Sequence, residues 1–409
     1  MFWVMGTRQS SCYRSAFTAV KRCVSEAQIA RHIIVEYGPL ISFVELFTMT
    51  KKTIRVGIVG ANAQSGWARV SHIPVINGLS NLKLAAVATR NEQSAREAAE
   101  AFGADRWFSD PLAMIRDDFV DLVTIAVKVP AHRELVLAAL HAGKAVYCEA
   151  PLGRTLTETE EMAHAAGSLH TAIGLQGRLN PAVRCAAELI SSGSIGRPLN
   201  ARIVSTTIGF GPEMPSSYDY FNKATFGANL LTVCVGHTLD LVEAVLGAIV
   251  EVDARTEILW PTVRLTDIGE ESSRDTADHI DFLGKTRSGA VVTADINAGV
   301  APQDVCSSFE IRGSEGWLRL TSDHPYGFQA GDLKLTSNVS FEAPEEAEVS
   351  GGLMGAAINV GEVYAHLARD VQAGTYSTPG FEHAVHNARL IEAVRRAADR
   401  GERQRVITE

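Results

Sequence analysis

From Thr53 onward, short β-rich runs alternate with helical patterns at the spacing of βαβ units, and this alternation constrains the fold of the 409 residues more than any other feature. Parallel neighbours cannot be joined by a hairpin, so each pair needs a crossover, and a sheet built this way is covered by helices. The runs Ile54 to Val59, Leu82 to Thr89, Leu122 to Ala126 and Ala145 to Cys148 read as strands. Trp67 to Asn77, Glu92 to Phe102 and Ala131 to His141 read as the helices between them, with Gly103 and Gly143 as C-terminal stops. Thr157 and Glu160 have capping-box spacing before a helix from Glu158 to Ser168. The expectation for 53–172 is a Rossmann-type domain with a parallel sheet, in a chain of α/β class.

After Ile173 to Gln176 and a Pro181-initiated helix ending at Gly193, the period changes. Alternating runs at Leu199 to Ile208, Ile249 to Ile258, Ala277 to Thr286, Gly289 to Asn297, Ser307 to Gly313 and Trp317 to Thr321 predict a large, mostly antiparallel sheet. Phe226 to Leu246, Gly355 to Gln372 and Glu382 to Arg400 read as helices packed on it, and the acidic stretch Glu342 to Glu348 as a solvated loop. The expected second domain is α+β, spanning 173–380, with a C-terminal helix over 381–400. Residues 1–48 are unlike the rest. An over-extended start with Met49 as initiator is the plainest reading. A targeting peptide, with Arg8, Arg14, Lys21 and Arg22 ahead of the first acidic residue Glu26, and a genuine extra helix stay open beside it.

Gly57-Ile58-Val59-Gly60 falls at the first strand-to-helix turn, where missing side chains let backbone approach a pyrophosphate and the helix N-terminus offers oriented N–H donors. Asn62 stands where the middle glycine of a dinucleotide fingerprint belongs, and Ala63-Gln64-Ser65 lengthens the loop before Gly66. The second strand ends Ala88-Thr89-Arg90-Asn91, without the carboxylate that would bind the ribose 2'-hydroxyl of NAD. A hydroxyl and a guanidinium suit a 2'-phosphate, so the expected cofactor is NADP, with NAD as the alternative. The competing reading makes Arg90 a solvated loop residue and Asn91 a helix cap.

Composition removes several other classes. A net charge of -9 without a clustered basic face argues against direct nucleic-acid binding. No apolar run has the length of about 18 to 20 residues that a membrane helix needs. Cys12, Cys23, Cys148, Cys185, Cys234 and Cys306 fall singly, with no zinc spacing, so no metal site is expected. They read as small buried hydrophobes in a reducing, cytoplasmic-type compartment.

Val127-Lys128-Val129-Pro130-Ala131-His132, then Gly143-Lys144-Ala145-Val146-Tyr147-Cys148-Glu149-Ala150-Pro151-Leu152-Gly153, resembles the signature of the Gfo/Idh/MocA oxidoreductases. The resemblance continues through Arg178 to Pro181, Gly236 to Asp240 and Phe309 to Gly316, spanning roughly 53 to 400. The long loop Ala61 to Gly66 with Trp67, and Leu230 to His237, are closest to a subgroup that includes the yeast galactose-pathway co-repressor, a regulator of the same fold. The resemblance implies cofactor contacts at Gly57, Gly60, Asn62, Gly66, Trp67, Thr89, Arg90, Val127, Pro130, His132, Glu149, Pro151 and Gln176. It also implies a carbohydrate-like substrate and a homodimer or homotetramer formed through the antiparallel sheet.

The departures from the pattern bear on chemistry. Family members that oxidise sugars carry lysine where Ala150 stands, and aspartate where Val233 stands. His237 remains as a candidate base, since a neutral imidazole can take a hydroxyl proton as hydride leaves; its alternative is a packing histidine. Lys223 or Tyr220, from the polar and aromatic segment Ser216 to Lys223, is the candidate replacement for the lost lysine. Arg178, Asn180, Tyr218 and Asp240 are candidate substrate contacts, with a structural ion pair as the alternative for Arg178, and orienting a neighbour or pairing with a backbone donor as the alternative for Asp240. The two readings that follow are an oxidoreductase acting on a carbinol or carbonyl carbon and a dinucleotide-binding regulator without turnover.

Overall fold

The computed structural model describes residues 53–344, 353 and 355–406, so the readings for 1–48 and for 345–348 lie outside the described residues. The first half runs β1 (Ile54–Val59), α1 (Trp67–Val70), α2 (His72–Gly78), β2 (Leu82–Ala88), α3 (Glu92–Phe102), β3 (Arg106–Phe108), α4 (Pro111–Arg116), β4 (Leu122–Ile125), α5 (His132–His141), β5 (Ala145–Cys148), α6 (Leu156–Ala166) and β6 (Thr171–Ile173). All six strands pair in parallel, in the order β3-β2-β1-β4-β5-β6. The order reverses direction between β1 and β4, which opens a crevice at their carboxyl ends where ligands of such sheets bind. Every residue of β4 is buried, as a central strand covered on both faces demands.

The second half runs α7 (Pro181–Ser191), β7 (Pro198–Thr207), β8 (Glu213–Met214), α8 (Gly236–Leu246), β9 (Ile249–Glu257), β10 (Thr262–Leu265), β11 (Glu270–Ser273), β12 (His279–Thr286), β13 (Val291–Ala298), β14 (Ser307–Gly313), β15 (Trp317–Ser322), β16 (Lys334–Ser337), α9 (Ala356–Ala373), α10 (Phe381–Arg400) and β17 (Gln404–Arg405). Eight strands form the large sheet, ordered β16-β15-β14-β7-β13-β12-β9-β17, antiparallel except for the central β7–β13 pair. Its inner face (Ile203, Ile280, Phe282, Val292 and Phe309 among others) packs against Leu239 and Val242 of α8 and Leu390 and Val394 of α10. Three short strands, β11-β10-β8, form a separate small sheet.

Two helices late in the chain join the halves. Val360, Val363, Tyr364 and Leu367 of α9 complete the core on one face of the parallel sheet, beside Ile58, Val75 and Ile76. Phe381, Ala384 and Val385 at the start of α10 enter the core on its other face, while the end of α10 serves the large sheet.

Several elements differ from the sequence reading. The helix expected over Trp67 to Asn77 is split at Ser71, whose hydroxyl donates to the Trp67 carbonyl at 2.7 Å. The α6 cap is Thr155 and not Thr157: its hydroxyl accepts from Glu158 N at 3.2 Å, because the chain turns helical two residues earlier. Phe226 to Leu246 is not one helix. Gly227, at φ 77°, ends a short 3-10 turn, and a π-helical turn over Leu231–Val235 leads into α8. Of the described cysteines, Cys148 and Cys234 are buried, but Cys185 is only half-buried and Cys306 is exposed, at the β13–β14 connection.

Candidate dinucleotide and active site

β1 delivers Gly60 to the crevice, where it has φ 98° and an added Cβ would stand 2.4 Å from the Ala126 carbonyl oxygen. Only glycine passes there, so the turn keeps backbone exposed to whatever lies above β1 and β4. Gly57 does something else. A Cβ on it would meet Val120 and Met114 at 3.0 to 3.1 Å, so its missing side chain serves packing within the core. Asn62 does not reach outward, since its carboxamide oxygen accepts from Gln64 N (2.8 Å) and Ser65 N (3.1 Å) and shapes the long loop from inside. Gly66, at φ 102°, caps α1 with open space around it, and the buried indole Nε1 of Trp67 has no hydrogen-bond partner among the described residues.

At the end of β2, Thr89 Oγ1 lies 2.6 Å from Ser94 Oγ and donates to the Asn91 carbonyl, and Asn91 caps α3 by accepting from Ser94 N at 2.9 Å. The hydroxyl of Thr89 is therefore engaged locally. Arg90 is exposed and makes no hydrogen bond or ion pair among the described residues. Across the crevice, Lys128 follows β4. Its ammonium donates to the Ser217 carbonyl at 3.0 Å and sits 4.3 Å above the Tyr220 ring. Partial burial and the positive charge of Arg90 push its pKa down, with Asp219 opposing. Arg90 and Lys128 thus form a cationic pair close enough to feel each other, and the sequence reading missed Lys128.

His132 is a staple. Its Nε2 lies 3.0 Å from the Val127 carbonyl, and its Nδ1 faces the Pro151 carbonyl (3.1 Å) and the Cys148 thiol (3.4 Å), tying the β4 loop, which turns through Pro130, to the β5 loop. Burial lowers its pKa and keeps the ring neutral. The Ala150-Pro151 peptide is cis. Glu149 accepts from His72 Nε2 at 2.8 Å, and Gly174 makes room for its other oxygen, from which a Cβ would be 2.9 Å. Gln176 is buried; its amide donates to the Gln329 carbonyl at 3.3 Å and its oxygen has no partner among the described residues.

His237 is the second residue of α8, 8% exposed, with neither ring nitrogen hydrogen-bonded among the described residues. Burial lowers its pKa, and the charges of Asp240 and Glu149 oppose that fall. The ring is neutral near pH 7, with its nitrogens unspent. Asp240 is not open to a substrate: Arg178 Nη1 (2.6 Å) and His383 Nε2 (2.5 Å) both meet its Oδ1. These contacts hold its carboxyl below the usual range, against the burial that would raise it. For Arg178, the structure contains the ion pair. Asn180 caps α7 through Ala182 N at 2.9 Å and donates to Asn359 Oδ1 at 2.8 Å, both buried structural contacts.

Of the expected lysine replacements, Lys223 is bound to the carbonyl and hydroxyl of Ser273 at 2.5 and 2.7 Å. Tyr220 lies under Lys128 in a cluster with Phe221, where burial pushes its phenol pKa up and disfavours ionisation. Tyr218 is exposed, its ring parallel to Phe221. Ala150 packs on the core of the parallel sheet and Val233 on that of the large sheet, so neither position supplies a polar group. Elsewhere, cross-strand register between β12 and β13 gathers His279, Asp281 and Asp295 on the large sheet, with ligand atoms within 4.8 Å of one another, a grouping that linear spacing hides.

Residues 54–175 match the family model described as an oxidoreductase family with an NAD-binding Rossmann fold, and residues 181–322 match the C-terminal domain of Gal80p. The chain is 30% identical to inositol 2-dehydrogenase 2 of Saccharopolyspora erythraea over 281 residues, covering 67% of this chain and 74% of that protein. It is 28% identical over 369 residues to the dehydrogenase aclE of Aspergillus oryzae, covering 86% and 98%. It is also 28% identical over 291 residues to the galactose/lactose metabolism regulatory protein GAL80 of Saccharomyces cerevisiae, covering 66% and 67%. With the parallel six-stranded sheet, the glycine turn and these matches in hand, the chain belongs to the Gfo/Idh/MocA oxidoreductase family, in a branch whose second half is Gal80p-like.

Proposed function

We propose that the protein is an NADP-preferring oxidoreductase that moves hydride between a nicotinamide and a carbinol or carbonyl carbon of a carbohydrate-like molecule. The observation that carries this reading is His237, a buried neutral imidazole whose nitrogens have no partner among the described residues. A dinucleotide fits the residues present, because Gly60 leaves the turn above β1 bare where any side chain would collide with Ala126. Gly60 and the α1 turn would hold the pyrophosphate, and Arg90, exposed and unpaired among the described residues, the 2'-phosphate, with Lys128 adding charge from the other side. The nicotinamide, when bound, supplies the hydride acceptor or donor. His237 takes the hydroxyl proton in oxidation and returns it in reduction.

Stopped-flow fluorescence of bound NADPH, mixed with a panel of aldoses, ketoses and lactones, tests the reading. Cofactor oxidation by a panel member that disappears in His237→Ala is the expected result; oxidation that persists in that variant refutes the role of His237. Arg90→Asp is expected to lower the NADP to NAD affinity ratio at least tenfold, and an unchanged ratio removes the 2'-phosphate assignment.

A second reading is a dinucleotide-binding regulator without turnover. Ala150 and Val233, which lack the polar groups of sugar-oxidising relatives, favour it, as does the likeness to a protein named as a regulator. Tight NADPH binding with no oxidation by any panel member supports it.

A further inference from the structure

Away from the dinucleotide crevice, a cavity of about 390 Å³ opens where the 3-10 turn Gln176–Leu179, α7, α8 and the start of α10 meet. Arg178 borders it from the turn, Arg184 from α7 and His383 from α10. Val183, Arg184 and Ala187 fall on one stripe of α7, because residues three and four apart on a helix share a face. The two short apolar side chains of that stripe leave the space that the arginine edges. Gly60, Arg90, Lys128 and His237 are not among the walls. The path of α8 explains the separation: His237, Asp240 and Ala244 follow one another along one face, and Ala244, the wall residue, stands about 10 Å further along the axis than His237. Asp240, clasped by Arg178 and His383, lies between them.

Each arginine is held from behind by a buried carboxylate. Arg178 Nη1 donates to Asp240 Oδ1 at 2.6 Å, and Arg184 Nη2 lies 3.3 Å from Glu362 Oε2 of α9; the two acid side chains are 2% and 0% exposed. The arginine side chains keep 23% and 30% of their exposure, and both line the cavity. A guanidinium carries five N–H donors. Arg178 engages only Nη1, which also lies 2.5 Å from His383 Nε2, so its Nε and Nη2 have no partner among the described residues. Arg184 has no side-chain partner there besides Glu362, and His383 Nδ1 has none. Ser377, also in the wall, is different: its N–H and its hydroxyl both donate to Asp370. The donors open to a ligand therefore belong to the two arginines and His383.

We propose that this pocket binds a small organic carboxylate, received by the free donors of Arg178 and Arg184, with its carbon chain against Val183, Ala187 and Ala244. The planar fork of a guanidinium matches a carboxylate at two points. Asp240 and Glu362 fix both forks before a ligand arrives, which lowers the ordering cost of binding. They also set the charge. Two cations against two buried anions leave directed donors without a large net positive field, which suits a monoanion better than a phosphate dianion. The volume falls at the low end of the roughly 300 to 1,000 Å³ of small-molecule sites, and the apolar wall favours a carbon-bearing anion over a bare inorganic one. Hydride transfer in the crevice plays no part in this binding, so the proposal stands or falls independently of the oxidoreductase reading.

The test is calorimetric titration of the full chain with lactate, pyruvate, 3-hydroxybutyrate and gluconate, and with inorganic phosphate, in wild type, Arg184→Met and Ala187→Leu. At least one carboxylate is expected to bind wild type with a Kd below about 1 mM and to raise its melting temperature. Arg184→Met removes one fork, whereas Ala187→Leu fills the cavity without altering a charge. Each is expected to weaken carboxylate binding by about tenfold or more, with the Kd for NADPH within about twofold of wild type. Arg184→Met takes the ion-pair partner from Glu362; if that variant does not fold, Ala187→Leu decides alone, leucine being a strong helix former. The proposal is overturned if no carboxylate binds below about 1 mM, or if Ala187→Leu binds it as tightly as wild type, which would put the ligand elsewhere. Inorganic phosphate binding as tightly as the best carboxylate would overturn the ligand class. Failure of wild type to bind NADPH would count against the dinucleotide reading alone.

Discussion

Gly60 and Gly66 offer a matched pair of substitutions that separates backbone strain from steric collision. Both have strongly positive φ, 98° and 102°, so an alanine at either site bears a similar backbone cost of about 1–3 kcal/mol. Their surroundings differ. At Gly66 nothing lies within 4 Å of an added Cβ, whereas at Gly60 it would stand 2.4 Å from Ala126 O and 2.8 Å from Val127 Cγ1. An ordinary carbon–oxygen contact is roughly 1 Å longer, and the Ala126 backbone cannot retreat freely, since its N–H donates to Val59 O at 3.0 Å and holds β4 to β1. Overpacking of this kind adds about 1–3 kcal/mol. Gly60→Ala is therefore expected to lose about 1–3 kcal/mol more than Gly66→Ala in urea unfolding, and to lose more NADPH affinity by fluorescence titration. Equal stability of the two variants, within about 0.5 kcal/mol, would refute the claim that Gly60 is required by the close approach of β4.

Three further outcomes follow from buried polar groups. Asp370 accepts from the Thr375 and Ser377 hydroxyls, from both the N–H and the hydroxyl of Thr378, and from Ser377 N, and these donors hold its carboxyl well below the usual range despite burial. Its contribution is full above about pH 5, begins to fall below about pH 4 and is gone only below the depressed pKa of the folded state, so Asp370→Asn should cost about 2–3 kcal/mol at pH 7 and only moderately less at pH 3, by urea unfolding at both. Arg274 donates to Asn222 Oδ1 (2.9 Å), Asp278 Oδ2 (3.0 Å) and Gly211 O (2.8 Å), anchoring the segment that carries Tyr218 and Tyr220. Arg274→Met should cost about 3–5 kcal/mol and speed amide exchange over 216–222; a loss under about 1 kcal/mol would show the buried pair to be dispensable. Burial lowers the pKa of both His132 and His237 in the folded state, so the unfolded chain binds protons first and stability should fall as pH drops below about 6.5, a slope that His132→Gln should reduce.

What could be read from the sequence was whatever is local in the chain. The strands from Ile54 to Cys148, the α3 helix and its glycine stop, and the period change after Ser191 follow from side-chain alternation and turn residues within a few positions. The parallel β7–β13 pair in an otherwise antiparallel sheet was not legible, because pairing between residues 91 positions apart leaves no local mark. The same holds for His72 and Tyr364, each an ordinary helical residue until α9 is laid against α2. Thr89, Asn62 and Asn180 were read as facing a ligand, yet each satisfies backbone or side-chain groups nearby, as short polar side chains beside helix starts tend to do. Lys128 was missed for the opposite reason: it sits inside a recognised motif, but its significance comes from the aromatic segment it reaches across the crevice.

The position of α10 bears on how the protein is made. Phe381, Ala384 and Val385 fill one side of a sheet whose strands are complete by Ile173, about two hundred residues earlier in synthesis. Until they emerge, the sheet on a translating ribosome is covered on this face by α4, α5 and α6 but lacks the patch beside α6 and β6 that α10 supplies. A nascent chain stalled before residue 381 should therefore be more protease-sensitive over α6 and β6 than one extended past residue 400.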